Sequence, residues 1–210
     1  MKEKERARLE AMLTYEKEAW ERGAGLAAGL DEVGRGCLAG PVVVCAVILP
    51  RGFTYEGIND SKKVSPKKRE YLSGIIRENA VAVSFAMEEP DVIDELNILR
   101  ATIRAAGRAV LALSPQPDAL LTDALTLPGI NIPQTPIIGG DGKSLTIASA
   151  SICAKVYRDE LMNKYHEIYP EYGFDRHKGY GTKTHIEALR RHGACPIHRK
   201  SFMKKILPKE

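Results

Sequence analysis

Two apolar stretches, residues 26–30 and 41–49, flank the Gly-rich segment Asp-Glu-Val-Gly-Arg-Gly-Cys-Leu-Ala-Gly at positions 31–40. A link of that length cannot hold a crossover helix, so the two stretches are expected to pair directly as strands, and a doubly wound parallel sheet is disfavoured. The rest of the chain adds helices. Residues 2–22 read as one amphipathic helix with Leu9, Leu13 and Trp20 on a shared face, ending at Gly23. Ser65 and Pro66 supply an N-cap and a first helical residue. Residues 81–87 alternate like a strand. From 91 to 113, Val92, Leu96, Leu99, Ile103, Ala106, Val110 and Leu113 recur every three or four positions, which predicts one helix stopped by Ser114-Pro115-Gln116-Pro117. Short buried strands are expected at 119–121 and 137–138, and a long helix at 145–169. A Gly/Tyr loop and one or two basic helices follow. The order β, β, α, β, α, β, β, α indicates an α/β domain, a mixed sheet packed by helices.

A chain of 210 residues suits one domain, with the core expected over 26–210 and a helical extension over 1–25. Hydrophobic residues at 44% and charged residues at 28% support a packed core rather than disorder. No apolar run is long enough for a membrane helix, and the charged start from Lys2 lacks a signal core. Cys37, Cys45, Cys153 and Cys195 are scattered without a CxxC pair, which suits a reducing cytosol. A cytoplasmic protein without a membrane partner is the expectation.

The net charge of +4 is mild, but residues 155–210 carry 13 Lys/Arg against 7 Asp/Glu and all five histidines. A basic lobe beside an acidic remainder suits a site that holds cations and faces a polyanion; ordinary charged helix surface explains it equally well.

Within this frame a few residues carry chemistry. Asp31-Glu32 end an apolar stretch. Adjacent strand side chains face opposite ways, so both carboxylates reach one site only if the strand ends or distorts there, as the following glycines allow. Taken alone, a solvated turn explains an Asp-Glu pair better. Asp123 follows the apolar Ala119-Leu120-Leu121-Thr122, where a carboxylate costs several kcal/mol in effect unless paired or bound to a metal. Asp141 lies in Gly139-Gly140-Asp141-Gly142, a place where Asp also serves simply as a turn residue. Four carboxylates at element ends form an oxygen-rich set suited to Mg²⁺ or Mn²⁺, and two such ions about 4 Å apart can clamp an in-line displacement at phosphorus. Tyr180, between two glycines beside His177 and Lys178, serves equally as a stacking ring or as a core-packed tyrosine. Lys62, in Asn59-Asp60-Ser61-Lys62-Lys63, is a phosphate-contact candidate or a solvated loop residue. Gly142-Lys143-Ser144 lacks the first glycine of a P-loop, Gly34–Ala39 leads into a strand rather than a dinucleotide-binding helix, and His192, Cys195 and His198 lack a fourth zinc ligand.

Together the motifs are recognisable. Residues 28–36 with Leu38-Ala39-Gly40-Pro41, the 59–63 turn, Asp123-Ala124-Leu125, Gly140-Asp141 with Lys143-Ser144, residues 148–155, and Gly173-Phe174 with 177–182 occur in the order of bacterial ribonuclease HII, which the chain resembles from about 26 to 202. The resemblance implies a ribonuclease H-like fold, a mixed five-stranded sheet flanked by helices with a helical C-terminal region. It implies metal-dependent endonucleolytic cleavage of the RNA strand of RNA–DNA hybrids and incision at single ribonucleotides in duplex DNA. It assigns catalytic and Mn²⁺- or Mg²⁺-binding roles to Asp31, Glu32, Asp123 and Asp141. Gly34, Arg35 and Gly36 are assigned recognition of the ribose 2′-hydroxyl, Lys62 a phosphate contact, and Tyr180 stacking at the RNA–DNA junction. A monomer acting on hybrids and ribonucleotide-containing duplexes is expected. The ribonuclease HIII type is a near rival, carrying a Glu where this chain has Asp123. Hydrolysis by a metal-activated water would leave 5′-phosphate and 3′-hydroxyl ends. A histidine-based ribonuclease would instead leave a 2′,3′-cyclic phosphate, and a hybrid-binding module would not cleave at all.

Overall fold

A computed structural model describes residues 2–204 and 206; Met1 of the expected 1–25 extension, and Lys205 and residues 207–210 of the expected 26–210 domain, lie outside the described residues. The chain starts with α1 (Glu3–Ala11) and α2 (Thr14–Glu21). The apolar stretches around the Gly-rich link become β1 (Ala27–Val33) and β2 (Val42–Ile48), paired antiparallel with Asp31 opposite Cys45. A short 3-10 turn at Ser61–Lys63 leads into α3 (Pro66–Asn79) and β3 (Ala82–Glu88). Next come α4 (Pro90–Leu96), α5 (Ile98–Leu111), β4 (Ala119–Asp123) and β5 (Gln134–Ile137). After a turn at Gly140–Gly142, α6 (Leu145–Ile168) runs for 24 residues. The C-terminal part holds α7 (Phe174–His177), α8 (Lys183–His192) and α9 (Lys200–Met203). The five strands lie in the order β3-β2-β1-β4-β5; β3-β2-β1 is antiparallel, and β1-β4-β5 is parallel.

Helices cover both faces of the sheet. Cys45 and Val47 pack with Leu72 and Ile76 of α3 and Ala148 and Ile152 of α6, while Val44, Ala46 and Ile48 pack with Ala105, Ala106 and Ala109 of α5. Burial on both faces explains why β2 reads as an unbroken apolar run rather than an alternating one. The start of α6 lies directly on β1: a Cβ on Gly29 would collide with the main chain of Thr146 and Ile147. That contact sets α6 against the strand that carries Asp31 and Glu32. Leu38, Met162, Tyr172, Phe174 and Leu189 form a separate apolar cluster under the C-terminal helices.

The periodic reading fails at two helices. The expected helix 2–22 is broken at Met12 and Leu13, both buried, and the Met12 carbonyl accepts the Leu145 N–H at the start of α6. The expected helix 91–113 is broken at Asn97, which has φ 70° and whose side chain accepts the Leu99 and Arg100 N–H groups as the cap of α5. The break turns Leu99 outward, to 47% exposure. Ser65 and Pro66 do open α3, although the Ser65 side chain makes no capping bond. The pair 137–138 is only half buried: Ile137 closes β5, and Ile138 is 81% exposed. Among the described residues no helix is long and apolar enough to cross a membrane.

Candidate active site

β1 and β4 are parallel neighbours, with Leu30 paired to Thr122. Asp31 and Asp123 are each the next residue along, so two carboxylates stand level on adjacent strands, Asp123 at the end of β4 and Asp31 two residues before the end of β1. The strand neither ends nor distorts at Asp31-Glu32, the two routes that side-chain alternation left open. β1 continues to Val33; Asp31 lies on the α6 face and Glu32 on the α5 face, and both reach the same cleft because the neighbouring strand ends at Asp123.

The cleft has a volume of about 240 Å³ and is lined by Asp31, Glu32, Gly34, Arg35, Gly36, Lys62, Asp123 and Tyr180, together with Val33, Ser61, Ser151 and Lys155. Eight of the nine residues singled out from sequence therefore share one hollow. Asp141 does not line it. Its 3-10 turn sits beside the cleft, tied on by the Gly140 N–H, which donates to Asp123 Oδ1 at 2.8 Å, and by Lys62 Nζ, 3.4 Å from Asp141 Oδ2.

The charges in this group are strained. Burial first, then the neighbouring Glu32 and Asp123 charges, pushes the Asp31 carboxyl well above the usual range, against a hydrogen bond from Ser151. Burial also raises Glu32, opposed by Arg35, whose Nη1 is 3.1 Å from Glu32 Oε1. Asp141 is raised by burial and by the charges of Asp60 and Asp123, with Lys62 opposing. For Lys62 itself, partial burial pulls downward, but the carboxylates of Asp141, Asp60 and Asp31 outweigh it and raise its pKa.

A divalent cation fits this donor set. Glu32 Oε2 is buried without a hydrogen-bond partner, and carboxylate oxygens are the ligands hard cations take. Among the described residues no three His, Cys, Asp or Glu side chains form a preassembled metal cage. Arg35, the Gly140 N–H and Lys62 engage oxygens of Glu32, Asp123 and Asp141 respectively. A cation entering the cleft competes with those partners and relieves the repulsion between the carboxylates.

Tyr180 is 40% exposed, with Lys155 Nζ 5.9 Å and Arg158 Cζ 6.0 Å from its ring centroid. Its partly exposed ring borders the cleft beside these two cations, so it is not folded wholly into the core. No histidine lines the cleft. His177, His185 and His198 pack against Phe174 instead, so the histidine-based ribonuclease loses its acid and base. Ser61, Ser151 and Lys155 were missed from sequence. The two serine hydroxyls are 2.9 Å apart beneath Asp31, and Ser151 and Lys155 share a face of α6 at a spacing of four. That spacing was visible, but nothing in the sequence shows which face of α6 meets the site.

Comparison with known proteins follows the same lines. Residues 28–205 match the family model described as Ribonuclease HII. The chain is 50% identical over 204 residues to Ribonuclease HII of Clostridioides difficile, covering 97% of this chain and 80% of that one. It is 54% identical over 196 residues to the Lactobacillus johnsonii protein of the same name, covering 93% and 78%. The crystal structure of ribonuclease H2 from Pyrococcus horikoshii superposes with a TM-score of 0.73 at 25% identity, covering 86% of this chain and 96% of that one. Bst-RNase HIII in complex with Mn²⁺ superposes with a TM-score of 0.60 at 18% identity, covering 83% and 65%, a likeness of fold.

Proposed function

The chain belongs to the ribonuclease HII family, a ribonuclease H enzyme that degrades the RNA strand of RNA–DNA hybrids, and on that premise we propose that it also incises duplex DNA at single embedded ribonucleotides. In this reading Asp31, Glu32, Asp123 and Asp141 hold two divalent cations, Mn²⁺ or Mg²⁺. The observation that carries it is the shared cleft, in which strand-end carboxylates, the Gly34–Gly36 turn and Tyr180 face one another.

Bound cations would supply Lewis-acid stabilisation of charge at the scissile phosphate and acidify an attacking water. The protein's own groups do the rest. Asp31 and Asp123 hold the catalytic centre at a fixed separation because their strands are hydrogen-bonded neighbours. The main chain of Gly34, Arg35 and Gly36 lies at the cleft wall, where a ribose 2′-hydroxyl can be read by backbone groups. Tyr180 stacks on the sugar following the ribonucleotide and so senses the RNA–DNA junction. Lys62, with its side chain 83% exposed, reaches a backbone phosphate. Products carry 5′-phosphate and 3′-hydroxyl ends. The enzyme works as a cytoplasmic monomer.

One duplex DNA carrying one ribonucleotide, incubated with Mg²⁺, Mn²⁺ or EDTA, tests the reading. Cleavage at the ribonucleotide with either cation, none in EDTA, and 5′-phosphate ends are expected. Cleavage in EDTA or a 2′,3′-cyclic phosphate overturns it, and binding without cleavage in Mn²⁺ marks a binding module.

A further inference from the structure

Two arginines outside the cleft are among the largest fully buried side chains in the molecule: Arg158 on α6, and Arg199 just before α9. Every acceptor in their hydrogen bonds is a main-chain carbonyl. Arg158 donates to Pro41 O at 3.0 Å, Ala39 O at 3.0 Å and Lys178 O at 2.8 Å. Arg199 donates to Gly34 O at 2.7 Å, Arg35 O at 2.8 Å and Gly40 O at 2.7 Å. A buried guanidinium without a carboxylate partner is costly unless its planar fork of donors is met, so the fork dictates where those carbonyls stand.

The carbonyls belong to two segments that meet the substrate in the proposed function. Gly34, Arg35, Ala39, Gly40 and Pro41 belong to the turn whose Gly34–Gly36 part lines the cleft, and Lys178 begins the loop that ends in Tyr180. Gly34 has φ 94°, and a Cβ there would collide with Arg158 Nε, so the turn is moulded around that side chain. Main-chain bonds join the turn to the loop and to the segment before Arg199: Leu38 N–H donates to Gly179 O at 2.8 Å, and Gly40 N–H to Ile197 O at 2.8 Å.

We infer that Arg158 and Arg199 are positioning residues for ribonucleotide recognition, buried guanidiniums that hold the Gly34–Pro41 turn and the Tyr180 loop as one body, so that reading of the ribose and stacking at the junction act as a unit. The inference rests on the proposed roles of the turn and of Tyr180. Arg158 is the shared support, because of these two arginines only it donates to both segments, and its guanidinium lies 6.0 Å from the Tyr180 ring centroid. Lysine keeps the charge and much of the bulk but cannot reproduce the fork.

The test is a double-mutant cycle on the full chain with Mn²⁺, comparing wild type, R158K, Y180A and the double variant. Each is assayed on a duplex with one ribonucleotide and on a long hybrid. R158K is expected to lower kcat/KM on the single-ribonucleotide duplex about tenfold more than on the hybrid, and the double variant to fall within about threefold of R158K. Proportional loss on both substrates, with the Y180A penalty multiplying in full, overturns the inference and leaves Arg158 as plain core. Melting curves report folding. If R158K does not fold, R199K applies the same substrate comparison and cycle from the other side of the turn. Unfolding of both would show that the guanidiniums support the whole fold, which also overturns the inference. A wild type that does not cut the single-ribonucleotide duplex, or a Y180A protein without substrate bias, sinks the underlying functional reading instead.

Discussion

Asp31 and Asp123 stand level with one another on adjacent parallel strands, one residue beyond the Leu30–Thr122 pair. Their separation is fixed by the sheet and not by a loop. Asp123→Asn keeps an oxygen that can accept the Gly140 N–H, now bonded at 2.8 Å, and removes a charge that repels Asp31. The variant should therefore fold with a melting temperature no lower than wild type. With Asp123 as the direct ligand proposed above, the variant should lose more than about 100-fold in cleavage, beyond the range usual for groups that only support a ligand. Full activity in a folded D123N protein would remove Asp123 from the site.

Cation binding should be measurable without substrate. Burial and mutual repulsion disfavour the charged carboxylates, so a divalent ion that binds the folded state stabilises it by mass action, about 2.7 kcal/mol at a concentration of 100 Kd. For a chain of this size that is a rise of roughly 5–10 °C in Tm. Differential scanning fluorimetry with Mn²⁺ should show the rise, EDTA should reverse it, and Asp31→Asn should abolish it. An equal rise in the D31N protein would place the ion elsewhere.

Sequence pattern located what local chemistry determines. The Gly-rich link with its flanking apolar runs located β1, β2 and the turn between them, because short links and two-sided burial leave their mark in residue type. The breaks at Met12-Leu13 and Asn97 escaped notice because apolar residues keep a helical period across them while the caps end the helices. Asp141 was legible as a turn carboxylate; its place beside the cleft goes with tertiary contacts, Lys62 to Asp141 and Gly140 N–H to Asp123, that no local pattern encodes. Arg158, Arg199 and Glu16 were invisible for a shared reason. In a sequence they look like surface charges of helical segments, and only tertiary structure shows each one buried with its partners on distant segments.

Glu16 joins the N-terminal helices to the catalytic fold. It is buried, and its Oε1 accepts from Ser144 Oγ at 2.6 Å and from the Thr146 N–H at 2.9 Å, at the first turn of α6. Glu16→Ala strands the buried Thr146 donor at a helix N-terminus and should cost about 1–3 kcal/mol. Glu16→Gln keeps the acceptor oxygen and should cost less. Urea unfolding at neutral pH separates the two, and an E16A protein as stable as wild type would show that the contact contributes nothing.

The buried histidines make stability fall in mild acid. His185 Nε2 and His198 Nε2 are 3.0 Å apart, and a neutral pair can share one proton there as donor and acceptor. Burial holds both down to about 4, with His185 disfavouring a second proton on His198. In the unfolded chain each titrates near the ordinary value of about 6.5. Between about pH 6.5 and 4 the unfolded state therefore binds more protons, so stability is complete above that window and is lost as pH falls through it. The raised carboxylates of Asp31 and Glu32 act in the opposite sense, since their folded state takes up protons more readily. The useful quantity is thus the difference between wild type and His198→Phe, which removes the pair but leaves the carboxylates. Urea midpoints taken from pH 7 to pH 5 should fall more steeply for wild type than for the variant. Parallel slopes would mean that protonation of the pair is not what weakens the fold.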